Sequence, residues 1–208
     1  MATHPLAPSP SLHHLVRPCS DADLPSVGRI LAAAFHDDPV ISWALPDPGR
    51  RRRDLPAIMQ LLAGRSQPHG GNRLTDTRSG AAVWSPPGAE FDPAAETRFE
   101  TTLTALAGDA VGRIGALTEL LERNHPFEPD HLHLALLGVV PDHQGTGIGS
   151  ALLRSVLDRA DRDGTPAYLE ATSDRNRALY ERHGFVALRQ LQVLDCPPLT
   201  AMWREPQV

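Results

Sequence analysis

The chain has no lysine: all 20 of its basic side chains are arginine, set against 25 acidic ones for a formal net charge of −5. Such a chain lacks the basic footprint that phosphate backbones require, so no nucleic-acid partner is expected. The missing lysine also removes the group with which a P-loop reaches terminal phosphates. Cysteine is scarce as well. Cys19 and Cys196 stand far apart and in no metal-ligand spacing, so neither a disulfide framework nor a zinc site is expected. Two idle thiols suit a reducing compartment. No apolar run approaches the ~18 residues of a membrane span. Met1–Pro10 shows no basic stretch followed by an apolar one, the pattern of a secretory leader. These absences describe a soluble, cytoplasmic protein with no membrane partner.

With 208 residues, 41% of them hydrophobic, the chain can bury one sizeable core. A single domain over 15–205 is expected, after a disordered lead-in at 1–14 whose Pro5, Pro8, Pro10 and histidines carry no metal role. A short strand at Leu15–Arg17 precedes a helix started by Ser20-Asp21-Ala22-Asp23. That helix turns Leu24, Val27, Ile30, Leu31, Ala34 and Phe35 inward and stops near Asp38-Pro39. Residues 46–54 read as a loop entering a helix around Leu55–Leu62. The run Arg50–Arg53 reads as a solvated helix start, or else as a contact to a phosphate or a carrier protein. Ala81–Trp84 is a candidate strand, and Phe91–Glu122 is mostly helical but interrupted by glycines.

The signals sharpen after His125-Pro126. Leu132–Val140 is an apolar run of strand length that suits a central strand. Ile148, Leu152, Leu153, Val156, Leu157 and Ala160 form one helical stripe, stopped by Gly164. Pro166–Thr172 is a strand, Asp174–His183 a helix, and Phe185–Val193 and Leu199–Arg204 are closing strands. Strand and helix alternate, so the class is α/β (α+β).

Between the apolar strand and the striped helix lies Pro141-Asp142-His143-Gln144-Gly145-Thr146-Gly147-Ile148-Gly149-Ser150. Alternating glycines let successive backbone N–H groups converge. The helix that follows adds unpaired amides and a partial positive charge, which together suit a pyrophosphate. A P-loop reading fails for want of lysine. A dinucleotide-binding reading is close, since Gly145-x-Gly147-x-x-Ser150 nearly fits and Glu170 ends the next strand. Against it, Val140–Gln144 separate the strand from the first glycine, and too few strands remain for the usual sheet.

The loop resembles the coenzyme A loop of the GNAT N-acetyltransferases, whose pattern is Arg or Gln, two residues, Gly, one residue, then Gly or Ala. Gln144, Gly147 and Gly149 satisfy it. Asn176, followed by Leu179-Tyr180-Glu181-Arg182-His183-Gly184-Phe185, is similar to that family's second motif, in the right order and at the right distance. Within the family, the chain looks most like the puromycin N-acetyltransferase-like proteins. Residues 125–193 carry most of the likeness, 15–47 a weaker one, and 48–124 little.

The resemblance implies a mixed, mostly antiparallel sheet, splayed at its middle strands, with helices on both faces. It implies acetyl-CoA or another acyl-CoA as co-substrate, with no metal. The cofactor would lie on Gln144, Gly145, Thr146, Gly147, Ile148, Gly149 and Ser150. Backbone groups of Leu137, Val139 and Val140 would face its thioester, and Asn176 its pantetheine arm. Tyr180 is implied as the group that serves the departing thiolate; packing of its helix on the sheet is the alternative. For the amine's proton the candidates are Glu170, His131 and His133, each of which could instead make a structural hydrogen bond. Period-two alternation puts the two histidines on one face. The implied acceptor is a small-molecule amine, of the kind met in antibiotics or natural-product intermediates. A carrier-bound acyl donor and a non-catalytic acyl-CoA sensor are the alternatives, and oligomeric state is left open.

Overall fold

The computed structural model describes residues 16–207; the lead-in expected over 1–14 lies outside them. Seven strands form one sheet: β1 (Val16–Pro18), β2 (Arg73–Thr75), β3 (Gly80–Ser85), β4 (Leu132–Val139), β5 (Ala167–Ala171), β6 (Val186–Leu191) and β7 (Leu199–Arg204). Their order is β1-β2-β3-β4-β5-β7-β6, and only β4 and β5 run parallel. Among the described residues seven α-helices accompany them: α1 (Leu24–Phe35), α2 (Pro39–Ala44), α3 (Pro48–Ser66), α4 (Pro93–Ala107), α5 (Val111–Asn124), α6 (Ile148–Asp163) and α7 (Asp174–Glu181). The sheet is therefore mixed and mostly antiparallel, as the family resemblance implied.

Helices cover both faces. On one face α1 and α3 bury Val27, Leu31, Leu55 and Met59 against Leu74, Ala81 and Val83. On the same side, α2 and α5 close over Tyr168, Leu199 and Ala201. On the other face α6 and α7 pack Leu152, Leu153, Val156 and Tyr180 against Trp84, Leu134, Leu169 and Met202. The stripe read from the sequence is thus the buried face of α6, and Gly164 closes that helix in the left-handed conformation at φ 68°.

Local chemistry fixes the helix starts. Asp23 accepts from the backbone N–H and the hydroxyl of Ser20, while Arg17 on β1 grips both its oxygens at 2.7 and 2.8 Å. Two starts differ from the sequence expectation. The chain resumes as α2 directly at Pro39, because Asp38 accepts from the N–H groups of Val40 and Ile41. The segment 46–54, expected as a loop, is helical from Pro48: Asp47 caps Gly49 and proline occupies a first-turn position where its missing N–H costs nothing. The arginine run consequently lies inside α3. Arg51 is buried and donates to the carbonyls of Leu45 and Pro46; Arg50 pairs with Asp54 and Asp109, and Arg53 with Asp54.

The closing strand is anchored by Arg204, 3% exposed. Its guanidinium grips Asp161 of α6 at 2.7 and 2.8 Å and donates to the carbonyl of His183 after α7. This partner holds the Asp161 carboxyl below the usual range. Arg204→Ala leaves Asp161 with only the Gln207 N–H and the His183 carbonyl without its donor, and should cost about 3 kcal/mol of unfolding free energy. Urea denaturation checks the figure; a loss below about 1 kcal/mol, the scale of an exposed pair, would reduce the contact to a surface ion pair.

Candidate active site

The sheet opens at its centre. Pairing of β4 with β5 ends at Leu134–Leu169, although both strands run on. A bulge in β4 accompanies the parting: Val83 faces Leu136 and Trp84 faces Leu134, which leaves Ala135 without a partner on β3. The extra residue reverses the alternation. Leu132 and Leu134 pack toward α6, and so do Leu137 and Val139, whereas Leu136 and Val140 pack toward α1. Val140 N–H bonds the carbonyl of Ser79, so the antiparallel ladder turns the amides of Leu137 and Val139 the other way, toward the opening where β5 has left.

The glycine loop begins where β4 ends. Pro141–His143 makes one 3-10 turn, and the side-chain amide of Gln144 then reaches back 3.1 Å to the carbonyl of Val139. Gly145 and Gly147 take φ values of 78° and 90°, a region in which side chains with a Cβ are strained. The first α6 bond runs from Ala151 N–H to the Gly147 carbonyl, so the amides ahead of Ala151 have no helical acceptor. At Gly149 an added Cβ would fall 3.2 Å from the Leu179 side chain and 4.0 Å from that of Val139. Loop, opened strand and α7 thus meet at one point. Ser150 differs from its neighbours, because its hydroxyl is engaged 2.9 Å from His183 Nε2.

Tyr180 lies on α7, only 6% exposed and edge-on to Phe185. Burial, and then the Asp38 carboxylate nearby, push its pKa well above that of an ordinary phenol, so it keeps its proton at neutral pH. Asp38 is itself raised by burial, against the hydrogen bonds that it accepts from Thr172, Ile41 and Val40. Thr172, just past β5, donates to Asp38 and lies 3.4 Å from the Asn176 side-chain amide. Asn176 also donates its backbone N–H to the capping Ser173, and its side chain joins the same chain of contacts.

On the opposite face of the sheet, at the root of the opening, Glu170 and His133 come together, with Nε2 3.1 Å from Oε2. Glu170 is 8% exposed, and its other oxygen is buried without a hydrogen-bond partner among the described residues. His125, which follows α5, sets its ring edge-on to that of His133, with centroids 4.7 Å apart, and its Nε2 lies 3.1 Å from His131 Nε2. His131 in turn places Nδ1 2.8 Å from the carbonyl of Pro129. Burial, aided by the two neighbouring histidines, lowers the His125 pKa to about 4, so its ring is neutral at pH 7. Of the three base candidates, Glu170 and His133 form a pair beside the opening, while both ring nitrogens of His131 are engaged in the wall behind it.

Residues 75–185, more than half of the chain, match the model of the acetyltransferase (GNAT) family. The chain belongs to that family. A solved Corynebacterium glutamicum structure, described as histone acetyltransferase HPA2 and related acetyltransferase, superposes on this GNAT chain with a TM-score of 0.68 at 30% identity, covering 93% of the chain and 96% of that structure. A mycothiol acetyltransferase of Clavibacter michiganensis is 36% identical over 97 residues, 45% of the chain and 30% of the relative. An uncharacterized N-acetyltransferase of Schizosaccharomyces pombe is 33% identical over 78 residues, 36% of the chain and 32% of the relative. The chain thus spans about a third of the length of these curated relatives.

Two participants in this GNAT site escaped the sequence reading. Asp38 was read only as a helix stop, although Asp-Pro is also a capping signal that fixes where a carboxylate sits. His125 was read only as a boundary. It carries no periodic signal, and only the return of the segment after α5 to the sheet brings it against His133. Among the described residues no helix is long and apolar enough to cross a membrane.

Proposed function

We propose that this GNAT-family chain transfers an acetyl or other small acyl group from coenzyme A to the amine of a small molecule, by direct attack and without an acyl-enzyme. The observation that carries this reading is the loss of β4–β5 pairing beyond Leu134–Leu169, with two β4 amides facing the opening beside the glycine loop. Amides of Gly145–Ser150 would hold the pyrophosphate, helped by the helix dipole. The arm would then lie along β4, past Asn176, where the open strand can pair with it.

Each remaining task falls to a residue of this chain. Leu137 and Val139 N–H groups are fixed dipoles aimed at the thioester oxygen, where negative charge develops as nitrogen attacks and the C–S bond breaks. Tyr180 donates its O–H to the departing sulfur. A thiol is the stronger acid, about 8.5 against about 10 for a phenol, so Tyr180 stabilises the thiolate by hydrogen bonding and need not transfer its proton fully. The proton released by the amine passes to His133, oriented by Glu170. Arg50 and Arg51 are engaged within the chain, which leaves the exposed Arg52 and Arg53 as what remains of the arginine run for the carrier-protein reading. A cytoplasmic, small-molecule role in antibiotic modification or natural-product tailoring fits the acceptor implied by the sequence.

Calorimetric titration with acetyl-CoA, followed by a panel of amines that includes aminonucleosides with detection of free thiol, tests the proposal. Binding of acetyl-CoA without thiol release from any amine would point to the sensor reading; absence of binding would end the proposal. His133→Ala should lower kcat/KM for the amine about 100-fold, and Glu170→Gln rather less, with acetyl-CoA affinity unchanged. A His133→Ala enzyme of normal kcat/KM would move the proton elsewhere.

A further inference from the structure

The histidine cluster has a property that amine acetylation does not require. One ring nitrogen each from His125 and His133 and one carboxylate oxygen of Glu170 lie within 4.8 Å of one another. Ligands about 2.0 Å from a tetrahedral zinc ion lie roughly 3.3 Å apart. The His133–Glu170 separation of 3.1 Å already has the length of one such edge. The outer contacts also have the right sense. His131 Nδ1, beside the Pro129 carbonyl, carries its proton, so His131 Nε2 accepts from His125 Nε2–H and the lone pair of His125 is left on Nδ1. Metal-binding histidines are typically held by such a hydrogen bond from the other ring nitrogen. The buried Glu170 carboxylate has one oxygen, Oε1, with no hydrogen bond of good geometry, and its polar neighbour there is the Tyr168 hydroxyl, beside the cluster. An uncompensated buried carboxylate oxygen is costly, and a cation relieves that cost.

We infer that His125, His133 and Glu170 form a binding site for a divalent transition ion of the zinc type, with the fourth position left to water or to an incoming ligand. Two imidazoles and a carboxylate are a donor set that zinc accepts and that calcium or magnesium, which prefer oxygen, do not. Occupation would engage the lone pair of His133 and the carboxylate of Glu170, so a loaded site cannot take the amine's proton. That consequence rests on the proton role proposed above; the site itself does not.

The test uses the full chain without an affinity tag. After equilibrium dialysis against zinc and then against metal-free buffer, elemental analysis should find one zinc per chain. Cobalt substitution should give the intense visible absorption of a tetrahedral centre. His133→Ala and the near-isosteric Glu170→Gln should abolish retention of that zinc, and His131→Ala should weaken it about 10- to 100-fold through the lost outer contact. Circular dichroism identifies any variant that fails to fold, and Glu170→Gln keeps the test open if His133→Ala is such a variant. Absence of retained zinc in the parent protein would overturn the inference. Equal retention in folded His133→Ala and Glu170→Gln would do so too, by placing the ion elsewhere, for example on the histidines before residue 15. Retention of one zinc that depends on these residues but leaves acetylation unaffected would uphold the site and remove His133 from proton transfer.

Discussion

Tyr180→Phe is expected to lower kcat about 100-fold while leaving the KM for acetyl-CoA within about threefold. The substitution removes one O–H and retains the ring, so the packing against Phe185 and the anchoring of α7 survive. What is lost, on the proposed mechanism, is the donor that would meet negative charge on sulfur as the C–S bond breaks, an interaction made mainly in the transition state and hence visible in kcat. The size follows from the setting. A hydrogen bond to a developing charge in a dry site is worth about 2–3 kcal/mol, and about 2.7 kcal/mol is a hundredfold in rate. Burial and Asp38 both hold Tyr180 in its protonated form, so this donor should stay available throughout the neutral range. Steady-state kinetics with saturating amine provide the measurement. An unchanged kcat would reduce Tyr180 to a packing residue.

Gly147→Val should weaken acetyl-CoA binding by at least about 100-fold with the fold intact. Gly147 caps α6 at φ 90°, where a β-branched residue is strained by roughly 1–3 kcal/mol. The relief available is to turn the peptide, which redirects the N–H groups of Ile148 and Gly149 away from their common focus. Because Gly147 is exposed and α6 is held by Leu152, Leu153 and Val156, the disturbance should stay within the loop. Calorimetry reads the affinity and circular dichroism the fold. Normal affinity in a folded variant would place the cofactor elsewhere.

How much of this was legible in sequence differs by region, for physical reasons. The second half was read almost element by element because its apolar periods are long and its stops are glycines: α6 and its end at Gly164 are as expected. The short strand β2 was missed because it presents no run long enough to show a period. The start of α3 was placed too late because four charged residues hide a first turn whose signal is the Asp47-Pro48 cap. Within the site, the glycine loop and Tyr180 follow from local motifs, and Glu170 from its position at a strand end. The pairing of Glu170 with His133, the outer ring of His125 and His131, and the Asp38–Thr172 contact join segments remote in the chain. No local pattern encodes such contacts; they arise from strand order.

The single unpaired residue in β4 sets a boundary on how this chain can be re-engineered. Up to Leu134 the strand is in phase with β3 in one sense, and from Leu136 in the other. A deletion at Ala135 would leave every side chain on its present face, since Leu136 would follow Leu134 opposite Val83 in a regular ladder, but it would remove the local kink that accompanies the parting of β4 from β5. Chimaeras exchanging acceptor regions between relatives should therefore keep 132–140 from one parent and place their seams in the largely exposed connection between β3 and α4.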